Sequence, residues 1–285
     1  MLKDNKLKVL IVEDEIIIAR EIEDTLIGLG YSVPGIASSA DEALSMTEQF
    51  RPDLVLMDII IEGDKDGVDA ALEIYNKYKI PVIYLTAHSD LSTLLRARKS
   101  LPYGYIIKPF TKRDMVISIG LALYKHKSEM KERIIALMIK LLLEPITFNE
   151  KLKRVMELLH TLPRQFKDDA GCVYVVNVEN ILTIAYQIPS VGCDTNICLT
   201  IPMGKCLCGR AAETGEIIIS EKMDEQHDIQ STDKKHGHVC IPFKHNGKTL
   251  GVLNLYTKEG YKKDDSDTDF FNSVADILTL IYNME

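Results

Sequence analysis

Four short apolar runs constrain this chain more than any other feature: Lys8–Val12, Leu54–Met57, Val82–Leu85 and Tyr105–Ile107. They do not alternate polar with apolar residues, so they suit strands buried on both faces of a parallel sheet rather than a sheet with one wet face. Tyr31–Ala37 supplies a weaker strand, interrupted by Pro34. Between the runs lie helix-like stretches: Ile16–Leu29 stopped at Gly30, Asp41–Phe50 opened by Ser39 or Asp41, Gly67–Tyr78 and Leu91–Lys99. The alternation predicts a doubly wound α/β domain with a five-stranded parallel sheet over residues 1–125.

Polar residues recur where the runs stop. Glu13 and Asp14 follow the first, Asp58 the second, Thr86 the third, and Lys108 the fourth. In a parallel sheet all these carboxyl ends lie on one edge, where open α/β sheets bind their ligands. Three carboxylates held together repel one another and call for a cation; an all-oxygen set suits Mg²⁺. Asp58 can then serve as a carboxylate nucleophile toward phosphorus, Lys108 can neutralise charge on the transferred group, and Thr86 offers a hydroxyl. Singly, each acid is as well explained as a solvated strand end and the threonine as a cap. Their joint placement at strand ends carries the functional reading.

Together Val9-Leu-Ile-Val-Glu-Asp14, Leu54-Val-Leu-Met-Asp58, the Gly67 loop, Tyr84-Leu-Thr-Ala87 and Tyr105-Ile-Ile-Lys-Pro-Phe110 make the first 125 or so residues resemble the receiver domain of two-component response regulators. The resemblance implies a flavodoxin-like fold with Asp58 as phosphoacceptor. It further implies that Asp14 ligates Mg²⁺ directly, that Glu13 acts through water, and that Ile60 offers its backbone carbonyl to the metal. Thr86 and Tyr105 would form a switch pair, Lys108 would contact the phosphoryl group, and a sensor histidine kinase would be the phosphodonor.

A helix starting near Thr111 meets no strong breaker before Glu144-Pro145, with a stripe of Ile119, Leu123, Met130, Ile134, Leu137 and Leu141. Its part from 126 to 147 is expected to link two domains, either packing on one of them or pairing two protomers into a homodimer. From residue 148 to 285 the pattern is α+β with an antiparallel sheet. Helical Lys151–Leu159 precedes strand-like Cys172–Val178 and Leu182–Tyr186; a Gly-rich turn leads into a helix over Gly209–Thr214. Ile217–Ser220, Val239–Phe243 and Leu250–Tyr256 follow as strands, the last two around an Asn246-Gly247 hairpin turn, and Phe270–Asn283 closes as a helix.

All six cysteines fall in this second half. Cys206 and Cys208 flank Leu207 just before the expected helix, and His238 and Cys240 sit two apart on one strand face. Thiolates and an imidazole of this kind can hold zinc or an iron centre, with His236 or His227 in reserve, or act as redox groups; equally, the cysteines can be small core residues. Gly204-Lys-Cys-Leu-Cys-Gly-Arg-Ala-Ala-Glu-Thr-Gly215, Ile217–Ile219, Cys240-Ile-Pro-Phe243 and Gly247-Lys-Thr-Leu-Gly-Val-Leu-Asn-Leu255 resemble a GAF domain, which implies a small-ligand sensory pocket. Some GAF-like proteins resemble free methionine sulfoxide reductases; Cys208 stands in a comparable Cys-Gly context, but Cys240 lies within a strand where that enzyme pattern has its nucleophile in a preceding loop.

With a net charge of −8 and a pI near 5.5, the composition advertises no nucleic-acid footprint. The N-terminus lacks the apolar region of an export signal, which makes the expected location cytoplasmic. Ile134–Leu143, interrupted by Lys140, falls well short of the about 20 apolar residues a membrane span needs. These features together predict a phosphorylation-switched response regulator, with no catalysis beyond its own phosphorylation and dephosphorylation.

Overall fold

The structure is a computed structural model that describes residues 6–87, 102–162, 166–188, 199–222 and 236–285, without the side chains of 167–169 and 265. The expected helix over Leu91–Lys99 lies outside the described residues. The chain divides into two compact units, residues 1–127 and 128–285.

In the first unit, β1 (Val9–Val12), β2 (Ile36–Ala37), β3 (Leu54–Asp58), β4 (Val82–Ala87) and β5 (Gly104–Lys108) form the expected five-stranded parallel sheet, in the order β2-β1-β3-β4-β5. Every residue of β1 and β3 is buried, as the unbroken apolar runs require. The weak strand shrinks to two residues, because Pro34 fixes its own φ and has no N–H for a ladder; Lys8 and Ser32 make only an isolated bridge.

Helices cover both faces. α1 (Ile16–Gly28) packs Ala19, Ile22 and Leu26 against Val9, Ile11, Leu54 and Leu56. The first half of a long helix, α4 (Lys112–Leu142), adds Met115, Ile119 and Ala122 to the same core. On the opposite face α2 (Ala40–Phe50) and α3 (Gly67–Tyr78) bury Ala43, Ala70, Ala71 and Ile74 against Leu10, Val12, Val55 and Met57.

Local chemistry sets these helix starts. Ser39 accepts from the Glu42 N–H to open α2. Asp66 Oδ1 accepts from the N–H groups of Val68 and Asp69, at 3.0 and 3.1 Å, to open α3. Asp66→Ala orphans both donors and is expected to cost about 1 kcal/mol, read as a lower urea midpoint for the receiver transition. An unchanged midpoint would remove the cap from this account.

The second unit begins inside α4. Within the helical linker, Ile134, Met138 and Leu141 belong to the core of the second unit. α5 (Phe148–His160), the strands β6 (Phe166–Val176), β7 (Ile181–Ile188), β8 (Thr200–Pro202), α6 (Cys206–Thr214), β9 (Ile218–Ser220), β10 (His236–His245), β11 (Lys248–Lys258) and α7 (Asp265–Asn283) follow. The sheet is antiparallel and six-stranded, in the order β8-β7-β6-β11-β10-β9. Asn246 and Gly247 have φ of 50° and 78°, the paired positive values of a tight hairpin turn.

α5 and α7 cover one sheet face through Val155, Met156, Leu159, Phe271, Val274 and Leu278, a core that Ile134, Met138 and Leu141 of α4 join, and α6 covers the other through Leu207, Ala211 and Ala212. α6 starts three residues before the expected Gly209, and α7 five before Phe270. At α7 the capping box between Asp264 and Asp267 extends the helix into a polar stretch that hydropathy leaves blank. Among the described residues, no helix is long and apolar enough to cross a membrane.

Candidate functional site

In the first unit the strand order reverses between β1 and β3, and the carboxyl ends of these strands meet there. Glu13 and Asp14 leave the end of β1, Asp58 is the last residue of β3, and Lys108 is the last of β5. One oxygen from each of Glu13, Asp14 and Asp58 lies within 4.8 Å of the others, the single such group of three or more potential metal-ligating residues among the described residues. Lys108 Nζ donates to Glu13 Oε2 at 2.6 Å and to Asp58 Oδ2 at 2.5 Å. The other Asp58 oxygen, Oδ1, accepts from the Ile60 N–H at 2.9 Å. Both Asp58 oxygens are therefore held in place.

Glu13 is fully buried and its Oε1 has no hydrogen-bond partner. Burial raises its pKa; the Lys108 hydrogen bond opposes this, the Asp58 carboxylate adds to it, and the result is about 7. Burial works against the charge on Lys108, but the hydrogen bonds to Asp58 and Glu13 outweigh it and hold the ammonium above its ordinary pKa. Three carboxylates face one lysine. The excess negative charge and the orphaned Glu13 oxygen match a hard divalent cation, so the residues present fit Mg²⁺.

Thr86 lies within β4 and its hydroxyl donates to the Ala87 carbonyl at 3.1 Å. Tyr105 is in register with Tyr84 and their ring centroids lie 5.8 Å apart. Since Tyr84 and Thr86 share a face of β4, Tyr105 and Thr86 lie on that same face, one strand apart. Ile60 is exposed.

In the second unit Cys172, Cys206, Cys208 and Cys240 belong to the core on the α6 side of the sheet, and His236 and His238 share the strand face of Cys240. Cys206 and Cys208 are inside the helix, not before it, so a spacing of two turns their side chains to different sides. Cys208 Sγ lies 3.5 Å from Cys240 Sγ. His238 Nδ1 lies 3.1 Å from Asn254 Oδ1, and its ring packs against His236 and Tyr256, with centroids 4.8 and 4.5 Å away. Cys206, Cys208, His238 and Cys240 do not bring three ligand atoms within 4.8 Å of one another, so the expected four-ligand zinc or iron centre is not preassembled. His227 lies outside the described residues.

Sequence reasoning missed Asn254, which links Cys172, Cys240 and His238. Its signal was an amide in the middle of an otherwise apolar strand. A buried amide of that kind needs polar partners.

A response regulator receiver domain model matches residues 9–120, and a GAF domain model matches residues 140–281. The transcriptional regulatory protein PdtaR of Mycobacterium tuberculosis is 38% identical over 120 residues, 42% of this chain and 58% of its own length. The phyllosphere-induced regulator PhyR of Methylorubrum extorquens is 33% identical over 126 residues, 44% of this chain and 46% of its own. This chain thus spans about half the length of the curated relatives it matches. The crystal structure of the signal receiver domain of a modulated diguanylate cyclase from Desulfovibrio desulfuricans G20 is 35% identical, covers 44% of this chain and 99% of that one, and has a TM-score of 0.43. The chain carries a response regulator receiver domain at residues 9–120 followed by a GAF domain at residues 140–281.

Proposed function

We propose that the receiver domain accepts a phosphoryl group on Asp58 from a sensor histidine kinase in the cytoplasm, with Mg²⁺ held by Glu13, Asp14, Asp58 and the Ile60 carbonyl. The observation that carries this reading is the convergence of three carboxylates and one ammonium at the reversal of the strand order. Mg²⁺ would supply charge neutralisation for the phosphate oxygens. Asp58 is the nucleophile: the Ile60 N–H fixes one of its oxygens, and the other faces Lys108, whose ammonium is placed to move onto an incoming phosphoryl oxygen.

Thr86 acts as the switch by turning its hydroxyl from the Ala87 carbonyl to the phosphoryl group, and Tyr105, on the same face, responds to that turn. The GAF domain binds a small ligand and catalyses nothing, and the output is a contact with another protein. The net charge of −8 favours that output over a nucleic-acid contact.

Intact-mass measurement of the full chain with acetyl phosphate tests the reading. One phosphoryl group per chain is expected with Mg²⁺, none after chelation, and none for Asp58→Asn. A gain that survives Asp58→Asn overturns the assignment.

A further inference from the structure

The face of the GAF sheet under α6 holds a thiol and amide cluster that phosphoryl transfer leaves unused. Cys208 comes from α6 and Cys240 from the central part of β10; their sulfurs are 3.5 Å apart and the residues 32 apart in the chain. Cys208 is 4% exposed and Cys240 is fully buried. Asn254, directly opposite Cys240 in the β10–β11 register, stands between it and the next thiol. Its Oδ1 accepts from Cys240 Sγ at 3.6 Å, while its Nδ2 donates to Cys172 Sγ at 3.8 Å. The amide therefore separates Cys172 from Cys240. Cys208 Sγ is in van der Waals contact with Cys240 Sγ.

The geometry points to Cys208 and Cys240 as a reversible dithiol–disulfide pair, oxidised by a hydroperoxide, that cross-links α6 to β10 and gives the GAF domain two redox states. In the first step one sulfur of the pair attacks a peroxide oxygen. The O–O bond breaks, the leaving oxygen takes a proton and departs as an alcohol or water, and a sulfenic acid remains. The second sulfur attacks the sulfenic sulfur, the S–OH bond breaks, and the hydroxyl leaves as water with the proton of the second thiol. Two thiols and one hydroperoxide thus give one disulfide, one alcohol or water, and one water; both sulfurs are oxidised by one electron each and the peroxide takes up two. A thiol reductant reverses the bond by exchange.

The neighbouring Cys240 sulfur and burial both push the Cys208 thiol pKa up, so Cys208 rests as a thiol and its oxidation is slow. Hydrogen peroxide, uncharged and close to water in size, is suited to reach it. Cys206 starts α6 with a φ of 54° and lies about 200° around the helix from Cys208, which makes it a control on the same element.

This inference goes beyond the phosphorylation reading and does not depend on it. The test treats the reduced full chain with hydrogen peroxide, blocks remaining thiols, and maps non-reduced peptides by mass spectrometry. Expected are a Cys208–Cys240 linked peptide, loss of two titratable thiols restored by dithiothreitol, and a higher GAF melting midpoint, because the bond closes a long loop in the unfolded chain. Cys172→Ala and Cys206→Ala should keep the linked peptide, and Cys208→Ala and Cys240→Ala should lose it. Should a pair variant fail to fold, the native chain and Cys172→Ala still decide the matter. A disulfide to Cys193 or Cys198, oxidation confined to single cysteines, or no thiol loss overturns the assignment. Phosphoryl uptake, measured on the same samples, is a separate readout, so the failure of either reading is visible without the other.

Discussion

Gly67→Ala is expected to cost the receiver domain about 3 kcal/mol or more and to suppress phosphoryl uptake, although it touches no charged group. Gly67 is the first residue of α3, and its N–H donates to the Ile59 carbonyl at 3.1 Å. A Cβ there would overlap the Asp58 carbonyl oxygen and would stand 3.0 Å from the Asp58 carbonyl carbon and 3.2 Å from Ile59 Cα. All three atoms are backbone, so no rotamer change relieves the overlap. Either α3 moves away or the end of β3 shifts, and Asp58 is the last residue of β3. Urea denaturation of the receiver transition, together with the intact-mass assay, reads both effects. A stability loss under about 1 kcal/mol with full uptake would show that the loop yields freely.

Lys131→Met is expected to destabilise the GAF unit by about 3–5 kcal/mol. Lys131 lies in the second half of α4, only 6% exposed at its side chain, and its Nζ is 2.6 Å from Asp267 Oδ1 and 2.6 Å from Ser266 Oγ. Asp267 is fully buried. Its other oxygen, Oδ2, accepts from the Tyr261 hydroxyl at 2.8 Å and the Asp264 N–H at 2.9 Å. Removing the lysine leaves a buried carboxylate without its cation, which costs far more than losing a surface pair. By contrast, the exposed Lys65–Glu73 pair at 3.2 Å should be worth under about 1 kcal/mol. The double variant Lys131→Met with Asp267→Asn should recover much of the loss, because the unpaired charge then disappears while the amide oxygen can still accept from Tyr261 and the Asp264 N–H. Thermal and denaturant melts of the single and double variants test this. No recovery in the double variant would mean that packing around Lys131, rather than charge, is what matters.

Much of the receiver was legible in the chain itself. An unbroken apolar run tolerates only a place buried on both faces, and four such runs alternating with amphipathic stretches leave little besides a doubly wound parallel sheet. Glu13, Asp14, Asp58 and Lys108 were legible as a group because a parallel sheet delivers all its strand ends to one edge. The GAF half was harder to read. Its strands alternate less cleanly, as β10 shows: thiol and imidazole side chains occupy one face, and Val239, Ile241 and Phe243 the other. The start of α6 at Cys206 was not legible, since the sequence pattern opens that helix only at Gly209. That glycine is in place because a Cβ would overlap the Pro202 carbonyl oxygen, a contact between residues seven apart in sequence.

What the order of residues determined alone is the alternation of elements, the Asn246-Gly247 turn and the identity of the polar groups at the receiver's strand ends, because each depends on a few neighbours along the chain. What tertiary structure decided is which of those groups meet. Lys108 reaches both Glu13 and Asp58, the Thr86 hydroxyl donates within its own strand, and of the four residues expected as ligands in the GAF half Cys208 and Cys240 meet beside an unforeseen asparagine. Those outcomes depend on distances of a few ångströms between elements, set by how whole helices and strands pack, and local pattern carries no record of them.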